Sequence, residues 1–243
     1  MKTNPTGTYS SGTYNRRRFI GKSIGFTLIS AIGSSALLAA CAKESNEEKE
    51  VSPPEDLMQE HGLLNRVLLI YDHCQAQLLS RQTFDPALLC QDAGIIRSFV
   101  EDYHEKQEED YLFPRFEKAN ILTELVSTLR TQHKAGRVIT GRIMQITRPA
   151  RLTESDNTKL IRLLSDFSRM YRPHEAREDT VLFPAFRRIV SKHEYDALGE
   201  EFEKNENKRF GEDGFEKMIA KTEDIERSLG IYELSRFTPS TGQ

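Results

Sequence analysis

The feature that most constrains this chain is an internal repeat. His104-Glu-Lys-Gln-Glu108-Glu-Asp-Tyr-Leu112-Phe113-Pro114-Arg-Phe116 lines up with His174-Glu-Ala-Arg-Glu178-Asp-Thr-Val-Leu182-Phe183-Pro184-Ala-Phe186, offset by 70 residues. A further histidine precedes each copy, His61 by 43 residues and His133 by 41. The order along the chain is therefore His, His-x-x-x-Glu, His, His-x-x-x-Glu. This pattern predicts two helix pairs related by a pseudo-two-fold axis.

From residue 57 onward, apolar residues recur at three- and four-residue spacing, the period of an amphipathic helix. Four long helices are expected over 55–80, 86–118, 122–147 and 155–190. The short connections between them predict antiparallel neighbours. The expected fold is all-α: an up-down-up-down antiparallel four-helix bundle at 57–190, with a short helical C-terminal extension at 191–243. Within that extension, the 200–207 and 215–229 stretches read as helices, broken at Gly211 to Gly214 and ending at Gly230.

Residues four apart share a helix face. One face of the first helix carries Leu57, His61, Leu64, Leu68 and Leu69. The second carries Ile96, Val100, His104, Glu108 and Leu112. The third carries Leu125, Leu129, His133, Gly136, Thr140 and Ile143. The fourth carries Phe167, Met170, His174, Glu178, Leu182 and Phe186. Each stripe should face the core, so four imidazoles and two carboxylates are buried together. Uncompensated, that burial costs several kcal/mol per ion. Two metal ions meet the demand, and mixed imidazole and carboxylate donors suit iron, manganese or zinc rather than calcium or magnesium.

This ordered set resembles the hemerythrin-like, or HHE cation-binding, family over roughly residues 57–190. The resemblance implies that His61, His104, Glu108, His133, His174 and Glu178 ligate two non-haem iron ions, oxo-bridged, with Glu108 and Glu178 as the bridges; manganese and zinc are the alternatives. The oxygen-carrying members have His-x-x-x-His on the third helix and Asp in the last motif. Here Arg137 stands four after His133, and the last carboxylate is Glu178. The family's iron–sulfur-repair and nitric-oxide-linked members are more similar to this arrangement. Two histidines per iron leave room for O2, NO or peroxide. The implied function is binding of, or reaction with, such a small ligand. The alternatives are a non-catalytic sensing or buffering module for oxygen, NO or iron, and an iron donor for iron–sulfur repair.

The N-terminus carries a different signal. Residues 1–40 hold five basic residues and no acid, and an uncharged stretch runs from Ser23 to Ala40. This is the pattern of a signal peptide. Asn15-Arg16-Arg17-Arg18-Phe19-Ile20 resembles the twin-arginine consensus, and Leu38-Ala39-Ala40-Cys41 resembles a lipobox. The expectation is an exported lipoprotein, lipidated at Cys41, tethered by the acidic 41–56 segment to the extracytoplasmic face of a bacterial membrane. Elsewhere, a net charge of −3 offers no basic excess for nucleic acid, and a mean hydropathy of −0.56 excludes a polytopic membrane protein. Three cysteines are too few for a disulfide scaffold.

Several residues receive ordinary expectations. Glu105, Glu109, Glu175 and Asp179 sit beside the candidate ligands but are rotated away by about 100° per residue, so they read mainly as solvated or as supporting the ligands from behind. Asn65 and Arg137, each four after a candidate histidine, line the site entrance or face solvent. His73 and His193 read as surface residues. A Cys74–Cys90 bridge is permitted by export, but Cys74 points away from the His61 face. Pro114, Pro184 and Pro173 should kink or break their helices.

Overall fold

The computed structural model describes residues 51–240. The candidate signal peptide at 1–40 and the lipidation site Cys41 lie outside them. No helix among the described residues is long and apolar enough to cross a membrane.

Six helices and one short 3-10 turn make up the described secondary structure. α1 is Pro53–Leu79, opened by two prolines and by the Glu55 carboxylate, which accepts the Ser52 backbone N–H at 3.0 Å. α2 covers 86–119. Asp85 caps its start by accepting the Ala87 N–H at 2.9 Å, with Pro86 at the first helical position. Asn120, at φ 56°, ends it in the left-handed conformation. α3 is Thr123–Thr147. α4 covers 154–189 and starts with a reciprocal cap between Thr153 and Asp156. α5 is Lys192–Phe210, and α6 is Gly214–Leu229, closed by Gly230 at φ 71°. The C-terminal extension is more helical than expected, since α5 starts at Lys192 rather than near residue 200.

The prolines of the repeat do not break their helices. Glu108–Leu112 and Glu178–Leu182 are π-helical turns, each followed by an α-helical turn with Pro114 or Pro184 near its start. Proline lacks a backbone donor and crowds the carbonyl four residues earlier. The wider turn lets the chain pass that point without ending. π turns of this kind often mark functional sites, and here each opens on a glutamate of the repeat. Pro173 sits inside the unbroken Glu154–Arg177 stretch.

Two apolar clusters form the core. One contains Leu63 to Leu78 of α1, Leu89 to Tyr103 of α2, Ile143 of α3 and Leu160 to Tyr171 of α4. The other contains Leu57, Leu112 to Phe116, Val126, Leu129, Leu182 to Phe186 and parts of α5. On each of α1 to α4 the candidate ligands fall in sequence between the two clusters, and the order of the clusters reverses from one helix to the next. The polar site is thus a layer with apolar material on both sides. Leu69, placed on the core stripe by its spacing, is instead 40% exposed. It follows Leu68 by only one residue, a rotation of about 100° that turns it off the buried face.

α1 packs on α4, α4 on α3, and α3 on α2. α6 lies against α1 and α2, where Arg66 donates to both carboxylate oxygens of Glu226. Phe210 and Phe215 pack on Phe99. The C-terminal extension is therefore part of the folded unit. Cys74 and Cys90 are free thiols.

Candidate metal centre

All six candidate ligands are at most 4% exposed. Their arrangement is paired. His61 Nε2 lies 3.2 Å from His104 Nε2, and His133 Nε2 lies 3.2 Å from His174 Nε2. Each carboxylate reaches both pairs. Glu178 Oε2 is 3.4 Å from His61 Nε2 and 3.1 Å from His174 Nε2. Glu108 Oε2 is 3.8 Å from His104 Nε2 and 3.5 Å from His133 Nε2. Neither oxygen of Glu108 or Glu178 has a hydrogen-bond partner of good geometry. Buried charged carboxylates without partners are costly, and a cation between them would offset that cost.

Every imidazole is also held from behind. The Nδ1 atoms of His61, His104, His133 and His174 meet Asp179 (2.8 Å), Glu60 (2.8 Å), Glu109 (3.1 Å) and Gln132 (2.9 Å). An acceptor at Nδ1 fixes the tautomer with Nε2 free as a donor atom, the usual support for a metal-binding histidine. The four acceptors follow the repeat. The residue before each leading histidine (Glu60, Gln132) holds the second histidine of its own half. The residue after each inward glutamate (Glu109, Asp179) holds the leading histidine of the other half.

The phenylalanines of the repeat do the same kind of work. Phe183 stacks on His61 and Phe113 on His133, at 5.6 and 5.5 Å between ring centroids. Each ring covers an imidazole of the opposite half and keeps water from it.

Of the two expectations for the neighbouring acids, the structure meets the supporting one. Glu105 and Glu175 are buried, and Glu109 and Asp179 are half-buried against the histidines. Arg137 donates to Glu105 at 2.7 Å and Glu109 at 2.8 Å, so it turns toward the buried acids beside the site. Asn65 occupies the equivalent place in the other half, donating to Glu175 at 2.6 Å. Tyr171 donates its hydroxyl to Glu105 at 2.7 Å. That hydroxyl is admitted by Gly136, where a Cβ would sit 2.0 Å from it. The roles of Glu60 and Gln132 were missed from the sequence. Their signal was present: each immediately precedes a leading histidine, and the acid after each inward glutamate recurs in both copies of the repeat.

Protonation follows the same geometry. Burial opposes charge on His61, but Asp179 and Glu178 outweigh it and raise the imidazole to about 10. Burial holds His104 below its ordinary value despite Glu60, and takes His133 down to about 4 despite Glu109. Burial and the neighbouring Glu178 push Glu108 up, whereas His174 and His61 overcome burial to draw Glu178 down. Burial raises Glu105 to about 8 against the pull of Arg137. His73 is half-buried beside Gln77 and His193 is exposed, so neither joins the site.

Two groups of buried side chains present convergent donor atoms within 4.8 Å of one another: Glu108, His133, His174 and Glu178; and His61, His104 and Glu108. Set in an all-helical bundle, they define a metal-binding helical protein. The match to a known family is direct: residues 52–186 fit the hemerythrin HHE cation-binding domain, and the chain belongs to that family. Uncharacterized proteins of Mycobacterium bovis and of two Mycobacterium tuberculosis strains are 47% identical to it over 195 residues, covering 80% of this chain and 76% of theirs. No solved structure matches it significantly.

Proposed function

We propose that this chain holds two non-haem iron ions and binds or reacts with a small ligand such as O2, NO or peroxide. The observation that carries the reading is the paired convergence of four Nε2 atoms on two carboxylates that have no hydrogen-bond partner. One iron would be held by His61 and His104, the other by His133 and His174, with Glu108 and Glu178 spanning both. The four helices that supply them would run up-down-up-down, consistent with the reversing order of the two apolar clusters. When bound, the iron pair supplies one-electron chemistry and open positions for a ligand.

The rest of the work belongs to the protein. The four Nδ1 acceptors hold the imidazoles in one orientation and one tautomer. Phe113 and Phe183 exclude water from two of the rings. Burial of every ligand admits only a small molecule. With the site so enclosed, the reading favours diatomic or peroxide ligands over larger substrates. The 1–40 segment would direct export, and lipidation of Cys41 would tether the bundle to the membrane through residues 41–56.

Anaerobic iron loading of the purified chain, followed by metal counting and optical spectra with O2 and then NO, tests the centre. Two irons per chain and a charge-transfer band that responds to ligand are expected. Reversible change with O2 indicates carriage or sensing, and irreversible oxidation with consumption of NO or peroxide indicates turnover. One iron or fewer per chain sinks the proposal. Radiolabelled palmitate incorporation that is lost in Cys41→Ala is the outcome expected of the lipid anchor.

A further inference from the structure

The two histidine pairs are matched in position but not in charge. His61 and His104 are backed by two carboxylates, Asp179 and Glu60, both at 2.8 Å. His133 and His174 are backed by one carboxylate, Glu109 at 3.1 Å, and by the neutral amide of Gln132 at 2.9 Å. Glu109 is itself shared with two cations, Arg137 at 2.8 Å and Lys106 at 2.5 Å. Asp179 pairs with no Lys or Arg among the described residues. The first pair is therefore backed by two carboxylates, and the second by one carboxylate that it shares with two cations.

A carboxylate acceptor polarises the imidazole N–H and makes Nε2 a stronger donor; an amide does so far less. Negative charge near a metal also favours its higher oxidation state. Granting the two-metal reading above, we infer that the two metal positions are inequivalent. The position at His61 and His104 fills first and is the more easily oxidised. The position at His133 and His174 fills second and stays ferrous longer, which makes it the entry point for a ligand that prefers ferrous iron. Glu60 and Gln132 are the positioning residues that set this difference, since they occupy equivalent places in the two halves and differ only as acid and amide.

The test is a titration of the metal-free full chain with Co2+ under argon, read by its visible ligand-field bands and by calorimetry. Two binding steps separated by about 10- to 100-fold are expected, the range over which such supporting partners change metal affinity. Glu60→Gln should weaken the first step, and Gln132→Glu should strengthen the second. Both nearly isosteric changes should narrow the separation. Simple repulsion between two ions at intrinsically equal positions also yields two steps, but then each variant would make the positions unequal and widen the gap. Widening, or no change in either variant, overturns the inference while leaving two metals bound. Binding of fewer than two ions overturns the two-metal reading itself. In chains loaded with 57Fe and reduced by one electron, Mössbauer spectra should show separate ferric and ferrous signals, and a single averaged signal would count against inequivalence.

Discussion

The polar layer at the candidate metal centre and the larger apolar cluster beside it treat buried acids in different ways. In the layer, Glu108 and Glu178 lie against four imidazoles, and their charge can be cancelled by ions between them. In the cluster, Asp92 of α2 is fully buried, neither of its oxygens has a hydrogen-bond partner, and burial pushes its carboxyl well above the usual range. One region can resolve buried charge with a cation, the other by keeping a proton. The lesson is a division of labour. The apolar cluster supplies stability, and the layer presents convergent groups that could hold metal.

Variants in the two regions should therefore separate stability from metal content. Phe167 is fully buried, stacked on Tyr171 at 4.3 Å and edge-on to Tyr71 at 5.2 Å. Phe167→Ala should cost about 3–5 kcal/mol in denaturant unfolding, while the loaded protein keeps two metals per chain. Loss of metal without loss of stability would reverse the comparison.

Gly136→Ala strikes the boundary between the regions. The added methyl meets the Tyr171 hydroxyl and must displace it from Glu105, an overpacking cost of about 1–3 kcal/mol. Its unfolding midpoint should fall, and a second substitution, Tyr171→Phe, should restore part of it by removing the clashing oxygen.

Asp92→Asn should act with the opposite sign. Because burial raises the folded-state pKa of Asp92 well above the ordinary carboxylate range, its protonated form favours folding. That contribution is complete below the unfolded pKa and is lost as pH rises through the folded one. The variant removes the loss, so it should be more stable than the parent at alkaline pH, with a gap that grows as pH rises. Unfolding curves that keep the same pH dependence in both proteins would show that Asp92 does not titrate in this way.

Glu108→Gln should have the smallest effect on the metal-free protein. Burial and Glu178 already favour the protonated carboxyl, which an amide mimics. The metal-free variant should unfold at nearly the parent's denaturant midpoint, yet metal counting should fall below two per chain. A variant that still loads two metals would remove Glu108 from the ligand set.

Much of this was legible in one dimension. Helix periodicity, four helix spans and the repeat itself follow from residue spacing, because a 3.6-residue period decides which side chains share a face. The same spacing brought His61, His104, Glu108, His133, His174 and Glu178 to one face each of four helices. Spacing also left questions open. Rotation along a single helix turned Glu105, Glu109, Glu175 and Asp179 away from the candidate ligands without deciding between solvent and a supporting role, because their partners come from other helices. Asp179 meets His61 from a helix more than a hundred residues away, and Arg137 reaches Glu105 and Glu109 across a helix boundary. Residues Glu60 and Gln132 acquired roles for the same reason. The sequence alone determined which residues can face inward, since that depends on local helical geometry. Only the tertiary structure decided which imidazole each acid supports, because hydrogen bonds between helices depend on packing register and are not encoded in the period of any one of them.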